Sequence, residues 1–287
     1  VLNSMKKLNF ITQQEYQAAK AVTVRVKEQD TCLYAPHLKE LIRIQLEDEL
    51  GKNRVYTGGL IIQTTLNRAA QDAAHASFTA HLAEYKKNIM ADIDGALICL
   101  DTKTGAIKAL VGGTDFTVSK FNSAWQSKRQ VGSVLKPLIY AVAIEQGMSF
   151  ADTEIDEPIS IEQHGAVWQP NNYNNRFDGT MTLAQALVRS NNIISVKTLL
   201  KTGAAPVANL ARACHLPEPI YPYPSLALGC IDAALKDVAG MFNVFANHGV
   251  YVEPHLISSI KDSWGKKVWK YTPVHERVLP ERVADCV

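Results

Sequence analysis

The sequence RQVGSVLKPLIY at residues 129–140 predicts a helix that begins with polar residues and is buried along the rest of its length. Gly132 permits a sharp turn into the helix. Pro137 lacks an N–H group and must therefore lie within or just after the first turn, where backbone donors have no intrahelical acceptor. Apolar residues then cover nearly every face until Gly147, a typical helix stop. The helix therefore begins close to Ser133.

Ser133 and Lys136 have the spacing of a nucleophile and its base. Residues three apart share one face of a helix, with Cβ atoms about 5–6 Å apart, so the Lys136 amine can reach the Ser133 hydroxyl. Burial lowers the pKa of a lysine, and a helix N-terminus favours the negative charge that develops on an attacking serine. The alternative is a chance match, with Ser133 as a helix cap and Lys136 as a surface charge.

The composition is that of an ordinary globular protein, with 47% hydrophobic residues and a net charge of +2 over 287 residues. Because basic and acidic residues are interspersed, neither nucleic acid nor an anionic membrane surface is expected as the main partner. The eight His and five Cys residues show no paired ligand spacing, so we predict no metal and no other cofactor. The apolar runs fall short of the ~20 residues that a bilayer requires, so we expect any membrane anchor to lie upstream of Val1.

Residues 1–30 form the first of three predicted segments. They carry a helix, a turn and a second helix, at which Thr12 and Glu15 have the spacing of a capping box. The apolar stripe of these helices has too little area to fold alone. We therefore expect it to pack against a domain outside this chain.

Residues 31–92 form the second segment, which we interpret as a linker module. A helical pattern covers residues 35–50, and a β-branched run at residues 58–66 predicts a strand. Asn67 then caps a further helix.

Residues 93–287 form the main domain. Residues 95–113 predict a hairpin, because two apolar arms flank a polar turn in which Gly105 supplies the positive φ. A sheet with flanking helices predicts an α+β fold of antiparallel type. The remaining elements are helices at residues 180–189, 193–200, 205–214 and 232–248, and a strand pair within residues 250–272.

Ser190, Asn191 and Asn192 interrupt an apolar helical stretch. Ser and Asn compete with the helix backbone for hydrogen bonds, so they are commonly placed there for a side-chain task. The alternative is a junction between two helices that Ser190 or Asn192 caps.

The order Ser-x-x-Lys at residues 133–136, then Ser-x-Asn at residues 190–192, resembles that of penicillin-binding proteins and serine β-lactamases. More specifically, the chain is similar to the transpeptidase half of a bifunctional, class A penicillin-binding protein. It departs from that family at Val131, where Pro is common, and at Cys230, where Ser is usual. The segments that carry the resemblance are residues 1–20 (end of the glycosyltransferase domain), 57–71 (linker), 95–113, 129–140, 168–173 and 245–251.

This resemblance implies a role for each polar residue of the two motifs. Ser133 would be the acylated nucleophile, Lys136 would take its proton, and Ser190 would relay a proton to the leaving amine. Asn192 would hold the substrate amide. The further substrate-binding residues that it implies are Trp168, Asn172 and Tyr173.

The implied reaction is attack on the D-Ala-D-Ala bond of a peptidoglycan stem peptide, followed by transfer of the acyl group to an amine of a neighbouring stem. β-Lactams would acylate the same serine, and other cell-wall synthesis proteins are candidate partners. The implied location is the bacterial cell envelope, on the periplasmic side of the cytoplasmic membrane.

The family also has a Lys-Thr-Gly motif on a strand that faces the serine. Residues 201–203 match it, but they follow a helix that begins near Ser190. Eleven helical residues span about 16 Å, which is too far for Ser190 and Lys201 to contact the same substrate carboxylate. Residues 103–105 match it too, but they form the predicted hairpin turn. We therefore expect the motif, and with it a complete active site, to lie beyond Val287.

Two other functions fit the same motifs. A D,D-carboxypeptidase or β-lactamase would also use the Ser-x-x-Lys and Ser-x-Asn motifs. However, no pattern supports a deacylating role for Glu154, Glu157 or Glu162. A non-catalytic scaffold or binding module of the cell wall could keep the same fold.

Overall fold

The computed structural model describes residues 1–22, 34–89, 93–163 and 165–287. The chain divides into two compact units, Val1–Tyr34 and Ala35–Val287. The predicted boundaries after residues 30 and 92 lie outside the described residues.

The helices of the described ranges, in chain order, are α1 (Leu2–Lys7), α2 (Gln13–Ala21), α3 (Pro36–Leu50), α4 (Lys52–Thr57), α5 (Arg68–Ile89), α6 (Lys136–Glu145), α7 (Leu183–Val188), α8 (Asn192–Thr202), α9 (Ala204–Ala213), α10 (Leu235–Ala246) and α11 (Glu281–Cys286). Two 3-10 turns cover Gly132–Leu135 and Pro224–Leu228.

The strands are β1 (Ile61–Thr64), β2 (Leu97–Leu100), β3 (Ile107–Val111), β4 (Arg129–Gln130), β5 (Thr153–Asp156), β6 (Ile161–Gln163), β7 (Ala166–Trp168), β8 (Gly179–Thr182), β9 (Asp232–Ala233), β10 (Val250–Val252), β11 (Ile257–Lys261), β12 (Lys267–Lys270) and β13 (His275–Arg277).

In the first unit, α1 and α2 bury no residue. The capping box of α2 is confirmed, because the N–H of Glu15 donates to Thr12 Oγ1 at 3.2 Å and the N–H of Thr12 donates to Glu15 Oε2 at 2.7 Å. The start of α2 therefore follows from its local sequence.

In the second unit, the predicted α+β class with antiparallel pairing is confirmed. The strands that the structure describes form six small antiparallel sheets: β1-β11-β12, β2-β3, β4-β9, β5-β8, β6-β7 and β10-β13. Strand β1, from the predicted linker, therefore shares a sheet with the C-terminal strands. Asn67 caps α5 as predicted, since its Oδ1 accepts the N–H of Ala70 at 3.0 Å.

Helix α6 lies in the main hydrophobic core, as the apolar run after Lys136 predicts. Leu138 and Ile139 are fully buried, in one cluster with Val196 and Leu199 of α8 and Val207 of α9. Burial of one such side chain stabilises the folded state by about 1.5–3 kcal/mol. The shared core therefore holds α6 and α8 side by side. The polar ends of these two helices form the site described below.

Several predicted boundaries differ from the structure. Residues 180–182 belong to β8 rather than to a helix, because Thr182 caps α7 and accepts the N–H of Gln185 at 3.2 Å. The predicted helix at residues 232–248 begins only at Leu235, because Asp232–Ala233 pairs with β4. Helix α4 was not predicted.

Candidate active site

Ser133 lies in the 3-10 turn Gly132–Leu135, which leads directly into α6. Gly132 has φ +59°, and its N–H donates to the carbonyl of Gly229 at 3.1 Å. A Cβ on Gly229 would lie 1.9 Å from the carbonyl oxygen of Gly132, so only glycine allows this approach. The backbone around Gly229 therefore packs directly against the turn that carries Ser133, a contact that the sequence does not indicate.

Lys136 is the buried centre of the site, with 1% of its surface exposed. Its Nζ donates to the Ser190 carbonyl oxygen at 2.6 Å, to Ser190 Oγ at 3.1 Å and to Asn192 Oδ1 at 2.8 Å. Burial lowers the pKa of Lys136 to about 8, because an apolar environment disfavours the charged amine. A substantial fraction of this amine is therefore neutral at mildly basic pH.

Of the predicted catalytic residues Ser133, Lys136 and Ser190, the last two are in direct contact, and Lys136 also contacts the predicted substrate-binding residue Asn192. The side chain of Ser133 is exposed, and its hydroxyl makes no hydrogen bond to any residue that the structure describes. Its carbonyl accepts the N–H of Lys136, which keeps the serine one turn before the amine. The hydroxyl therefore remains available to an incoming group.

The Ser190–Asn192 segment forms a junction between α7 and α8 and also faces Lys136. Ser190 has φ +53°, in the left-handed region. The cap of α8 is Asn191, whose Oδ1 accepts the N–H of Ile194 at 2.9 Å, and not Ser190 or Asn192 as the alternative interpretation expected. Asn192 Nδ2 donates to the carbonyl of Asn171 at 2.8 Å.

The predicted substrate-binding residues occupy different surroundings. Tyr173 is fully exposed and lines a cleft of ≈ 490 Å³ beside Ser190, together with Asn172, Arg176 and Arg189. Trp168, on β7, is half-buried against the main core. Asn172 is buried and hydrogen-bonds to protein groups, so its direct contact with a substrate stays a prediction.

The two rejected Lys-Thr-Gly matches lie where predicted. Lys201 is in the last turn of α8 and pairs with Glu154, and Gly203 ends the helix with φ +83°. Residues 103–105 form the turn of the β2-β3 hairpin, in which Gly105 has φ +69°. Neither lies on a strand.

One group of side chains in the described ranges could hold a metal ion. The ligand atoms of His248, Glu281 and Asp285 lie within 4.8 Å of one another, and all three residues are exposed. This group shares no residue with the Lys136 site, and the absence of a metal from the chemistry stays a prediction. No helix in the described ranges combines the length and apolar character that crossing a bilayer requires.

Comparison with known proteins identifies the class. Residues 95–221 match the family described as penicillin binding protein transpeptidase domain. The chain is also 39% identical over 178 residues to penicillin-binding protein 1A of Neisseria gonorrhoeae. The matched region covers 61% of this chain and 22% of that protein. The chain therefore contains a penicillin-binding transpeptidase domain and is homologous to class A penicillin-binding proteins. It spans about a fifth of this relative's length.

Solved structures agree with this fold. Penicillin-binding protein 1A from Haemophilus influenzae superposes with a TM-score of 0.81 over 96% of this chain and 55% of that chain, at 24% identity. Penicillin-binding protein A from Mycobacterium tuberculosis, solved as a penicillin G acyl-enzyme complex, gives a TM-score of 0.63 at 20% identity, over 78% of this chain and 60% of that one. At these identities the likeness applies to the fold alone.

Proposed function

We propose that this protein is a serine D,D-transpeptidase that cross-links peptidoglycan stem peptides. The observation that carries the proposal is the buried Lys136 amine, which hydrogen-bonds to Ser190 and Asn192 one turn after Ser133. Its pKa, lowered to about 8, suits a general base near neutral pH. The membership of a transpeptidase family supports the same reaction class.

Acylation begins when neutral Lys136 takes the proton of Ser133 Oγ, which bonds to the carbonyl carbon between the two D-Ala residues. The backbone N–H of Ser133 stabilises the oxyanion, and the resemblance implies a second N–H donor on the strand that carries the family's Lys-Thr-Gly motif. Ser190 Oγ, 3.1 Å from Lys136 Nζ, passes a proton from the lysine to the leaving amine. The C–N bond breaks, D-Ala leaves, and the acyl group stays on Ser133.

Transfer to the second stem reverses these proton movements. The acceptor amine attacks the ester carbonyl and gives its proton, through Ser190, to Lys136, and Ser133 recovers its own proton as the new amide forms. Asn192 Oδ1 has two lone pairs, so it accepts the amide N–H of the donor stem beside Lys136 Nζ. Tyr173 and Trp168 bind the remainder of the stem. The cleft beside Ser190 is open enough for a peptide, at ≈ 490 Å³.

The surroundings of two glutamates favour a transpeptidase over a β-lactamase-type hydrolase. Glu154 pairs with Lys201, and Glu157 accepts from Lys197 Nζ at 3.0 Å. Carboxylates held by lysines on the flank of α8 are poorly placed to activate a deacylating water. A stable acyl-enzyme with β-lactams follows, and the acyl-enzyme of the M. tuberculosis relative supports it.

The domain organisation belongs to the same proposal. Residues 1–30 are the end of a glycosyltransferase domain, residues 31–92 a linker and residues 93–287 the transpeptidase. The protein acts in the bacterial cell envelope, on the periplasmic side of the membrane, beside other cell-wall synthesis proteins.

A stem peptide that ends in D-Ala-D-Ala, offered with an amine acceptor, tests this function. The expected products are free D-Ala and the cross-linked peptide, with Ser133→Ala releasing no D-Ala. Steady turnover of a chromogenic β-lactam would instead identify a hydrolase. Neither D-Ala release nor β-lactam acylation would identify a non-catalytic module.

A further inference from the structure

A buried carboxylate lies behind the Ser190–Asn192 segment. Asp156, the last residue of β5, is only 2% exposed. Its oxygens accept Asn172 Nδ2 at 2.9 and 3.0 Å, and Oδ2 also accepts the N–H of Asp178 at 2.9 Å. Within the described part of the chain no cation pairs with it. Because an unpaired buried carboxylate is expensive, these hydrogen bonds must hold it in place.

Asn172 connects this carboxylate to α8. Its Nδ2 donates to Asp156 and also to the carbonyl of Arg176 at 2.8 Å. Its Oδ1 accepts the N–H of Asn192 at 2.9 Å. Both oxygens of Asp156 accept hydrogen bonds from Asn172, so the NH₂ group of Asn172 must face Asp156. The amide oxygen must then face the start of α8.

That contact fixes the first residue of α8 at the site. The first N–H groups of a helix have no intrahelical acceptor, and here Asn191 caps one while Asn172 accepts another. Asn192 is thereby held by its backbone, and its Nδ2 is held by the carbonyl of Asn171. The remaining polar atom of its side chain, Oδ1, accepts a hydrogen bond from Lys136 Nζ at 2.8 Å.

We propose that Asp156 and Asn172 are positioning residues of this active site: Asp156 orients the Asn172 amide, which holds Asn192 against Lys136. The proposal rests on the proposed function of Lys136 as the base. It gives Asn172 a task behind the site, in place of direct contact with the substrate. It also explains why a charged residue is buried at the end of β5, sixteen positions before its partner.

The test is a mutant cycle read by the rate of acylation with fluorescent penicillin. Asn172→Ala and Asp156→Ala should each slow acylation roughly 10- to 100-fold, because displacement of a catalytic group by about 1 Å costs up to 10². If Asp156 acts only through Asn172, the double variant should be no slower than the slower single variant. Rates that multiply in the double variant, or an unchanged rate in Asn172→Ala, would overturn the proposal.

Lys197→Met is the matched control. Lys197 Nζ donates to the carbonyl of Ile155 at 2.7 Å, so it also joins α8 to β5 but does not contact Asn172. This variant should acylate within about twofold of the wild type while it remains folded. Near-ultraviolet circular dichroism checks the fold of each variant. Asp156→Leu, which is of similar size but has no hydrogen-bond acceptor, replaces Asp156→Ala if the latter does not fold, with the same expectation.

A second measurement separates this inference from the proposed function. The ¹³Cε shift of Lys136, followed by NMR against pH, reports its pKa in the wild type and in Asn172→Ala, a charge-neutral change. Loss of the Asn192 acceptor disfavours the charged amine, so the pKa should fall further below its ordinary value. An unshifted titration would refute the positioning role. A wild type that penicillin does not acylate would refute only the proposed function.

Discussion

The rate of acylation by a β-lactam should depend on pH through Lys136. With a pKa of about 8, the neutral fraction of this amine rises about tenfold from pH 7 to pH 9 and levels off above that. An ordinary lysine has a pKa of about 10.4 and would be less than about 0.1% neutral at pH 7. Burial of Lys136 therefore increases the concentration of its basic form by about two orders of magnitude at that pH.

Pseudo-first-order acylation by fluorescent penicillin, measured from pH 6 to pH 10, provides the assay. The logarithm of the rate should rise with unit slope and bend near pH 8. Lys136→Arg keeps a cation but has no accessible neutral form, so acylation should fall by about 10²–10⁴. A rate that does not change with pH, or that survives in Lys136→Arg, would refute the role of Lys136 as the base.

Three further predictions concern the surroundings of the site. Gly229→Ala places a methyl group 1.9 Å from the backbone oxygen of Gly132 and should slow acylation by at least about tenfold. The control is Gly265→Ala, whose new methyl group would meet no atom within 4 Å. This control should leave the acylation rate unchanged and lower the free energy of unfolding by about 1 kcal/mol, because Gly265 has a positive φ. Thr182→Ala should cost about 1 kcal/mol of stability in chemical denaturation, because α7 loses its cap, and a cost near zero would contradict that assignment. Iodoacetamide should alkylate the exposed Cys230 but spare Cys214, whose buried thiol has a pKa raised to about 12. Peptide mass spectrometry detects both adducts, and alkylation of Cys214 ahead of Cys230 would contradict this prediction.

Local signals were sufficient for much of the fold. The capping box at Thr12, the cap at Asn67 and the turn at Gly105 each act within a few residues, so the sequence contains the whole interaction. Helix α6 was predictable because its apolar residues cover every face. The same reasoning placed Lys201 at a helix end, against the match of its tripeptide to a catalytic motif.

Long-range contacts account for what the sequence did not reveal. Residues 180–182 directly precede an apolar helical pattern; Thr182 ends the strand as the cap of α7, and the pairing of β8 with β5, far away in the sequence, makes these residues a strand. The close approach of Gly229 to Gly132 joins segments that are far apart in the chain. The hydrogen bond between Asp156 and Asn172 is of the same kind, and neither residue type at its position indicates the other.

Within the site, the choice among three adjacent polar residues was also beyond local reasoning. Ser190, Asn191 and Asn192 are all suitable caps by residue type. The left-handed backbone of Ser190 and the contact of Asn192 with Lys136 leave Asn191 as the cap. The tertiary contact therefore decides which residue serves the helix and which serves the chemistry.

The identity of the nucleophile is the central claim, and peptide mapping after reaction with penicillin G tests it most directly. The account predicts a single adduct, on the peptide that contains Ser133, which disappears in Ser133→Ala and persists, more slowly formed, in Ser190→Ala. An adduct on another residue, or labelling that survives in Ser133→Ala, would contradict it.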